Sequence, residues 1–220
     1  MSDLWKVLAN NFPEFATAWF VTLRLCLISF AIAMGAGLLI AAFRISPLRP
    51  LRAIGTLYVE TFRNTPLLVL LIVAFAGLRR AGIPLDQWSA ATASLGLYTG
   101  AYIAEAVRSG VFAVGKGQIE AGLSLGLSYR RTISKIVLPQ AIRTVIPPIG
   151  NIAIAMIKNS AIIGGSIIAL TDLMKFGRNL QNANAKTTAT FFWVAVGYLL
   201  VTIPATYIVK ALEKRLAVRR

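Results

Sequence analysis

Apolar residues in this chain come in long blocks, not in the alternation of a strand or the narrow stripe of a soluble helix. The first, WFVTLRLCLISFAIAMGAGLLIAAF, runs from Trp19 to Phe43. Others run from about Leu57 to Leu78, Ala90 to Val111, Val145 to Leu170 and Phe191 to Lys210. A helix needs roughly 20 mostly apolar residues to cross a bilayer core. The pattern therefore predicts an all-α integral membrane protein with about five spanning helices, forming one domain over residues 1–220. The fourth block is interrupted. Pro147, Pro148 and Gly150 disturb its start, Lys158-Asn159-Ser160 its middle, and Gly164-Gly165 follow. This predicts two half-helices with a break, which membrane proteins tolerate where backbone is buried in protein or lines a wet cavity. Gly35, Gly37, Gly96, Gly100 and Ala101 are small enough to let helices approach closely.

Between the third and fourth blocks lies a different pattern, IEAGLSLGLSYRRTISKIVLPQA, from Ile119 to Ala141. It is amphipathic and cannot span. Its spacing predicts a helix from Gln118, a turn at Gly126 and a second helix ending near Leu138-Pro139, in a loop over about residues 113–143. Ile119, Leu123 and Leu127 share one face, and Ile133, Ile136 and Val137 another. A helix lying on lipid is the plain reading. Against it, Glu120 would meet an anionic surface, and Gly122 and Gly126 each weaken a helix by about 0.8–1 kcal/mol relative to Ala. Small residues beside an acid suit a short helix presented to a protein cleft.

Charge sets the direction of the spans. The chain is 57% hydrophobic and 14% charged, with a net charge of +15. Arg44, Arg49, Arg52, Arg63, Arg108, Lys116, Arg130, Arg131, Lys135, Arg143, Lys210, Lys214, Arg215, Arg219 and Arg220 would share one side, fifteen cations in all. Lys6, Arg79, Arg80, Lys175, Arg178 and Lys186, six cations, would share the other. The positive-inside rule places the first set in the cytoplasm, the N-terminus outside and the C-terminus inside. The cations flank apolar blocks, so they read as topological and not as a nucleic-acid surface. There is no histidine and a single cysteine, Cys26, which removes the Ser-His-Asp triad, multi-cysteine metal sites and any intrachain disulfide. The start, MSDLWKVLANNFPEF, lacks the charged-then-apolar pattern of a cleavable signal. No Gly-x-x-x-x-Gly-Lys-Ser/Thr phosphate loop is present, so an ATP-driven process would need a separate ATPase.

Ionisable groups inside spans are costly and are functional candidates by default. Arg24, Glu105 and Lys158 are the three here. Arg24 can snorkel or line a path. Glu105 and Arg108, three apart, can pair on one helix face, with Tyr98 and Tyr102 toward the start of the same span. Lys158, Asn159 and Ser160 sit at the predicted break, where a cation could attract a carboxylate or hold two half-helices together. In RNTP, Arg63 fits the topology, Asn64 or Thr65 can cap the next helix, and Pro66 sits where its missing N–H needs no partner. Together Lys158, Asn159, Ser160, Tyr98, Tyr102, Glu105, Arg24, Arg63, Asn64 and Thr65 are the candidate substrate path, and a metal site is not expected. These residues leave open an ATP-coupled permease, a carrier working alone and, least supported, an intramembrane enzyme.

Glu120-Ala121-Gly122, three residues, Gly126, nine residues, Ile136, one residue, Leu138-Pro139 resembles the EAA loop of the membrane subunits of ABC importers. Three further stretches resemble the polar amino acid permeases of the histidine/glutamine/glutamate type: FRNTPLLVLL from Phe62, YTGAYIAEAVRSGV from Tyr98 and LPQAIRTVIPPIGN from Leu138. Within that group the wording is most similar to actinobacterial-type glutamate permeases. The resemblance implies a type I importer fold. It implies that Glu120, Ala121, Gly122, Gly126, Ile136, Leu138 and Pro139 couple the chain to an ATPase. Further implications are ATP and Mg on that separate subunit and none on this chain, a second permease (a related one favoured over an identical copy), an extracytoplasmic solute-binding protein, and a place in the bacterial cytoplasmic membrane. Two departures stand out: Gly122 replaces the usual Ala, and IKNSAI replaces the usual Lys-Asp-Thr-Ser-Leu, with Asn159 for Asp and Ala161 for Ser.

Overall fold

The structure, a computed structural model, describes residues 2–184 and 186–216. Arg219 and Arg220, two of the counted cations, lie outside them, as does the side chain of Lys116. The described residues form helices joined by short turns, with no strand among them. In order these are α1 (Ser2–Asn10), α2 (Phe12–Ile45), α3 (Arg49–Asn64), α4 (Leu67–Arg80), α5 (Gln87–Phe112), α6 (Lys116–Ser124), α7 (Tyr129–Gly164), α8 (Leu173–Asn184) and α9 (Thr187–Leu216).

α5 is the centre. α2 packs along one side of it, α7 packs on another, and α9 closes on α7. In lipid the hydrophobic effect does not drive helices together, so association rests on close packing. The α2–α5 contact shows how. A Cβ on Gly37 would lie 2.6 Å from Ile103 Cγ2, and one on Gly96 would lie 2.7 Å from Ile32 Cγ2. Gly35, by contrast, faces open space and takes no part. Leu25, Leu71, Leu95, Ile163 and Ile168 fill the main core. α2, α7 and α9 are each long and apolar enough to cross a membrane. α5 is less apolar because protein encloses it: its Thr92, Ser94, Thr99 and Gly100 are buried against neighbours.

Five expectations from the sequence need correction. The block Leu57–Leu78 is not one helix. α3 and α4 meet at 104°, because Thr65 ahead of Pro66 is extended at φ −101° and ψ 129°. The 14 residues of α4 reach only about 21 Å, less than the roughly 30 Å of a hydrocarbon core. Neither Asn64 nor Thr65 caps α4. Asn64 Nδ2 donates to Glu60 Oε2 at 2.8 Å and Thr65 Oγ1 to Thr61 O at 2.8 Å, both back into α3. Pro139 does not end a helix. A π-turn at Ile133–Val137 absorbs it, with the Leu138 N–H bonded to Ile133 O, and α7 continues.

Pro147, Pro148 and Gly150 do not disturb the fourth block either, since the proline φ is already helical and local packing absorbs the lost bonds. The predicted break at Lys158–Ser160 is a one-residue step. The Ser160 N–H still bonds Met156 O at 3.0 Å, and α7 ends at Gly164. Residues 165–172 are irregular and lead to α8.

Candidate functional site

The segment after α5 folds into an elbow. α6 ends on Gly126, whose φ of +77° only glycine adopts freely. The Gly126 N–H donates to Leu123 O at 2.9 Å and the Leu127 N–H to Gly122 O at 3.1 Å, the paired bonds of a Schellman cap. Its two arms are held together by Gly122. A Cβ there would lie 2.6 Å from Thr132 Cγ2 and 3.1 Å from Ile136 Cδ1, so the residue must be small. Gln140 Nε2 adds a bond to Gln118 Oε1 at 3.3 Å. Gly122 thus faces inward, with half-buried Ile136, while Glu120 and Ala121 are exposed. Leu125 is 80% exposed and Leu138 48%, and Pro139 lies open beside Leu138. The seven elbow residues therefore divide into an inward-facing pair, Gly122 and Ile136, the exposed turn residue Gly126, and an outer face of Glu120, Ala121, Leu138 and Pro139.

The candidate path residues are not all brought together. Tyr98, Tyr102 and Asn159 line one cavity of about 160 Å³ between α5 and α7, with Thr99, Ile152, Ala155 and Met156. The two tyrosine hydroxyls lie 3.1 Å apart. The Arg63 guanidinium rests over the Tyr102 ring at 5.3 Å, which brings the α3–α4 corner against the same helix. Lys158 and Ser160 do not line that cavity. Lys158 is exposed, and buried Ser160 donates to Ile157 O at 2.7 Å. Arg24 lies elsewhere, 4.8 Å over the ring of Trp88 at the start of α5.

Glu105 joins more than Arg108. It accepts from Arg108 Nη2 at 2.6 Å and also from Arg44 at the end of α2, forming two ion pairs. In the sequence Arg44 is one of the cations that flank the apolar blocks. Its stem passes beneath Gly55, where a Cβ would lie 2.7 Å from Arg44 Cγ, so α2, α3 and α5 are tied at one point. Partial burial makes such a cluster worth more than a surface pair.

A second group that periodicity could not reveal is Asp172. It is fully buried and caps α8, accepting from the Lys175 N–H at 2.8 Å. Its carboxylate occupies the space a Cβ on Gly164 would need. The Leu173 N–H donates to Thr22 Oγ1 at 3.0 Å, and Arg178 donates to Gly165 O. These bonds fix the end of α7 against α2 and α8. A sequence signal existed in Asp172 standing immediately before an amphipathic stretch, the position of an N-cap.

A family model described as "Binding-protein-dependent transport system inner membrane component" matches residues 33–218. The chain is 40% identical to the probable glutamine ABC transporter permease protein GlnM of Bacillus subtilis, over 96% of this chain and 97% of that one. It is 37% identical to the glutamate transport system permease protein GluC of Corynebacterium glutamicum, over the full length of both. Among solved structures, the crystal structure of an amino acid ABC transporter with histidines superposes with a TM-score of 0.88 at 30% identity, covering 94% of this chain and 96% of that one. An inward-facing methionine ABC transporter, MetNI, superposes with a TM-score of 0.70 at 18% identity, a likeness of fold alone that covers 99% and 100% of the two chains.

Proposed function

We propose, from a chain that belongs to the family of inner-membrane components of binding-protein-dependent transport systems, that this permease carries polar amino acids, with glutamine or glutamate first among them. As a family member it is a multi-pass protein of the cytoplasmic membrane and a transport subunit, not an enzyme. The ATPase is a separate polypeptide, and the system also comprises a permease partner and a solute-binding protein. The relatives named for glutamine and glutamate, matched end to end, support the substrate class.

The observation that carries the mechanism is the elbow. Gly122 and Ile136 pack inward, and its outer face offers Glu120, Ala121 and Leu138 to a partner. In our reading the ATPase, holding ATP and Mg, grips this face. Movement is transmitted along α7, which runs without a long break from the elbow to the Asn159 cavity. The crossing elements are α2, the bent pair α3–α4 taken together, α5, α7 and α9, with the elbow in the cytoplasm and the N-terminus outside. Substrate passes along Tyr98, Tyr102 and Asn159, and the second permease is a related chain, not an identical one.

The test is reconstitution with the ATPase and binding protein in proteoliposomes. Uptake of labelled glutamine or glutamate should require ATP inside the vesicle. Asn159→Ala should lower it about tenfold or more, at a loss of about 1.4 kcal/mol per tenfold, while exposed Lys158→Ala should lower it less. Uptake without ATP, or wild-type rates in Asn159→Ala at equal protein, would sink the reading.

A further inference from the structure

An apolar groove of about 740 Å³ runs between α2, α7 and α9 and shares only the wall residue Met156 with the tyrosine-lined cavity. Trp19, Phe30, Met34, Ile149, Ala153 and Pro204 mark its walls. From Trp19 to Met34 on α2 it extends about 22 Å, longer than the roughly 15 Å that one leaflet contributes to a hydrocarbon core. One end is closed. There Trp19 Nε1 donates to Gly197 O on α9 at 3.1 Å. At the other end the last lining residues are Ile146 and Leu212.

That open end is cationic. Arg143 precedes Ile146 by three residues on α7, and Arg215 follows Leu212 by three on α9, so each shares the groove's face. Lys210 and Lys214 lie one step round α9. All four are exposed, and none makes an ion pair among the described residues. Glu213, between Leu212 and Lys214 on α9, is half-buried. A closed apolar slot with a cationic mouth has the form of an amphiphile with one anionic end.

We propose that this groove is a binding site for an anionic phospholipid, its acyl chain running toward Trp19 and its phosphate held between Arg143 and Arg215. Basic pockets between membrane helices bind anionic head groups by this chemistry. Ala153 is among the residues that line the groove.

The intact transporter, purified with its ATPase and partner permease, would be placed in nanodiscs of phosphatidylglycerol and phosphatidylcholine in equal parts, and the retained lipid weighed by native mass spectrometry. Wild type should retain phosphatidylglycerol in preference. Arg143→Gln with Arg215→Gln should lower that preference about thirtyfold, at about fivefold per cation near the surface. Ala153→Phe should remove retained lipid of both kinds, and Ala153→Leu serves if the larger side chain prevents folding. Equal retention of the two lipids by wild type, or a preference unchanged in the double variant, overturns the proposal. So does a photoreactive residue in place of Phe30 that crosslinks to the second permease and not to phospholipid.

Discussion

Glu120 and Asp172 each stand near a glycine that cannot be enlarged, and the molecule uses them in opposite ways. At the elbow, Gly122 turns inward against Thr132 and the acid stays exposed. At the end of α7, Gly164 makes room for the acid itself, and Asp172 is fully buried as the cap of α8. In both places a missing side chain lets two segments meet. The difference lies in where the charge goes. An exposed acid on a rigid, small-residue platform is available to another protein. A buried acid bonded to a helix start is a fixture of the fold. The contrast teaches that a glycine–acid neighbourhood in a membrane chain is not one signal, and that burial decides which kind it is.

The largest expected effect breaks the exposed member. Glu120→Lys should abolish co-purification of the ATPase and reduce ATP-driven uptake to background, while thermal unfolding of the permease shifts within about 0.5 kcal/mol, as for surface changes in general. Loss of the fold along with the association would put Glu120 in the same class as Asp172 and remove the distinction. The buried member responds in reverse. Gly164→Ala sets a methyl group against the Asp172 carboxylate and should cost about 1–3 kcal/mol of stability by overpacking, read as a lower unfolding temperature in detergent. Asp172→Ala in the same chain relieves the clash and leaves only the lost cap, about 1 kcal/mol. The two changes together should therefore cost less than their sum, a coupling expected only of groups in contact. Strict additivity would mean that the carboxylate has somewhere else to go.

Gly122 gives a smaller and sharper effect, because it is the position where this chain departs from the usual Ala. A Cβ at 2.6 Å from Thr132 Cγ2 requires the arms of the elbow to part. Gly122→Ala should cost about 1 kcal/mol and lower ATP-coupled uptake severalfold, and Thr132→Ala should recover both. Unchanged uptake would show that the hinge tolerates an opening that its packing does not suggest. Gly122 is thus matched to its own partner, Thr132, and the departure tightens the elbow instead of loosening the docking face.

The comparison also explains what the sequence could and could not say. The apolar blocks marked α2, α7 and α9, because lipid-facing helices must be apolar nearly throughout. The elbow was legible because its turn needs a left-handed residue and Gly126 supplies it locally. Features made by distant residues were not legible. Arg44 and Glu105 are 61 positions apart, and nothing in the spacing of either announces the pair. Prolines were over-read: Pro139, Pro147 and Pro148 look like breaks in a helix, yet α7 passes through all three by a π-turn and by local adjustment. Pro66 does open α4, at its N-cap, and the 104° corner made there with α3 is what its sequence position did not announce. The tyrosine–asparagine cavity was only half visible, since α5 and α7 bring Tyr98 and Asn159 together while turning Lys158 away.

The smallest effect separates the two variables that distinguish Glu120 from Asp172. Asp86 caps a helix, as Asp172 does, but is exposed, as Glu120 is. Its carboxylate accepts from the Trp88 N–H at 2.8 Å, the Ser89 N–H at 3.1 Å and Ser89 Oγ at 2.5 Å. The Ser89 hydroxyl, and then the Ser89 backbone N–H, hold its pKa below the ordinary carboxylate value. A depressed folded pKa contributes stability above the unfolded value of about 3.9 and loses it as pH falls through the folded value. Asp86→Ala should therefore lower the unfolding temperature slightly at neutral pH, and the gap from wild type should close toward about pH 3. ATPase binding should be untouched, unlike in Glu120→Lys, and Asp86→Asn, an equally good cap that does not titrate, should stay near wild type at neutral pH and keep its margin over Asp86→Ala as pH falls. If Asp86→Ala instead destabilised the chain as much as Asp172→Ala, then capping and not burial would be what makes an acid structural in this fold.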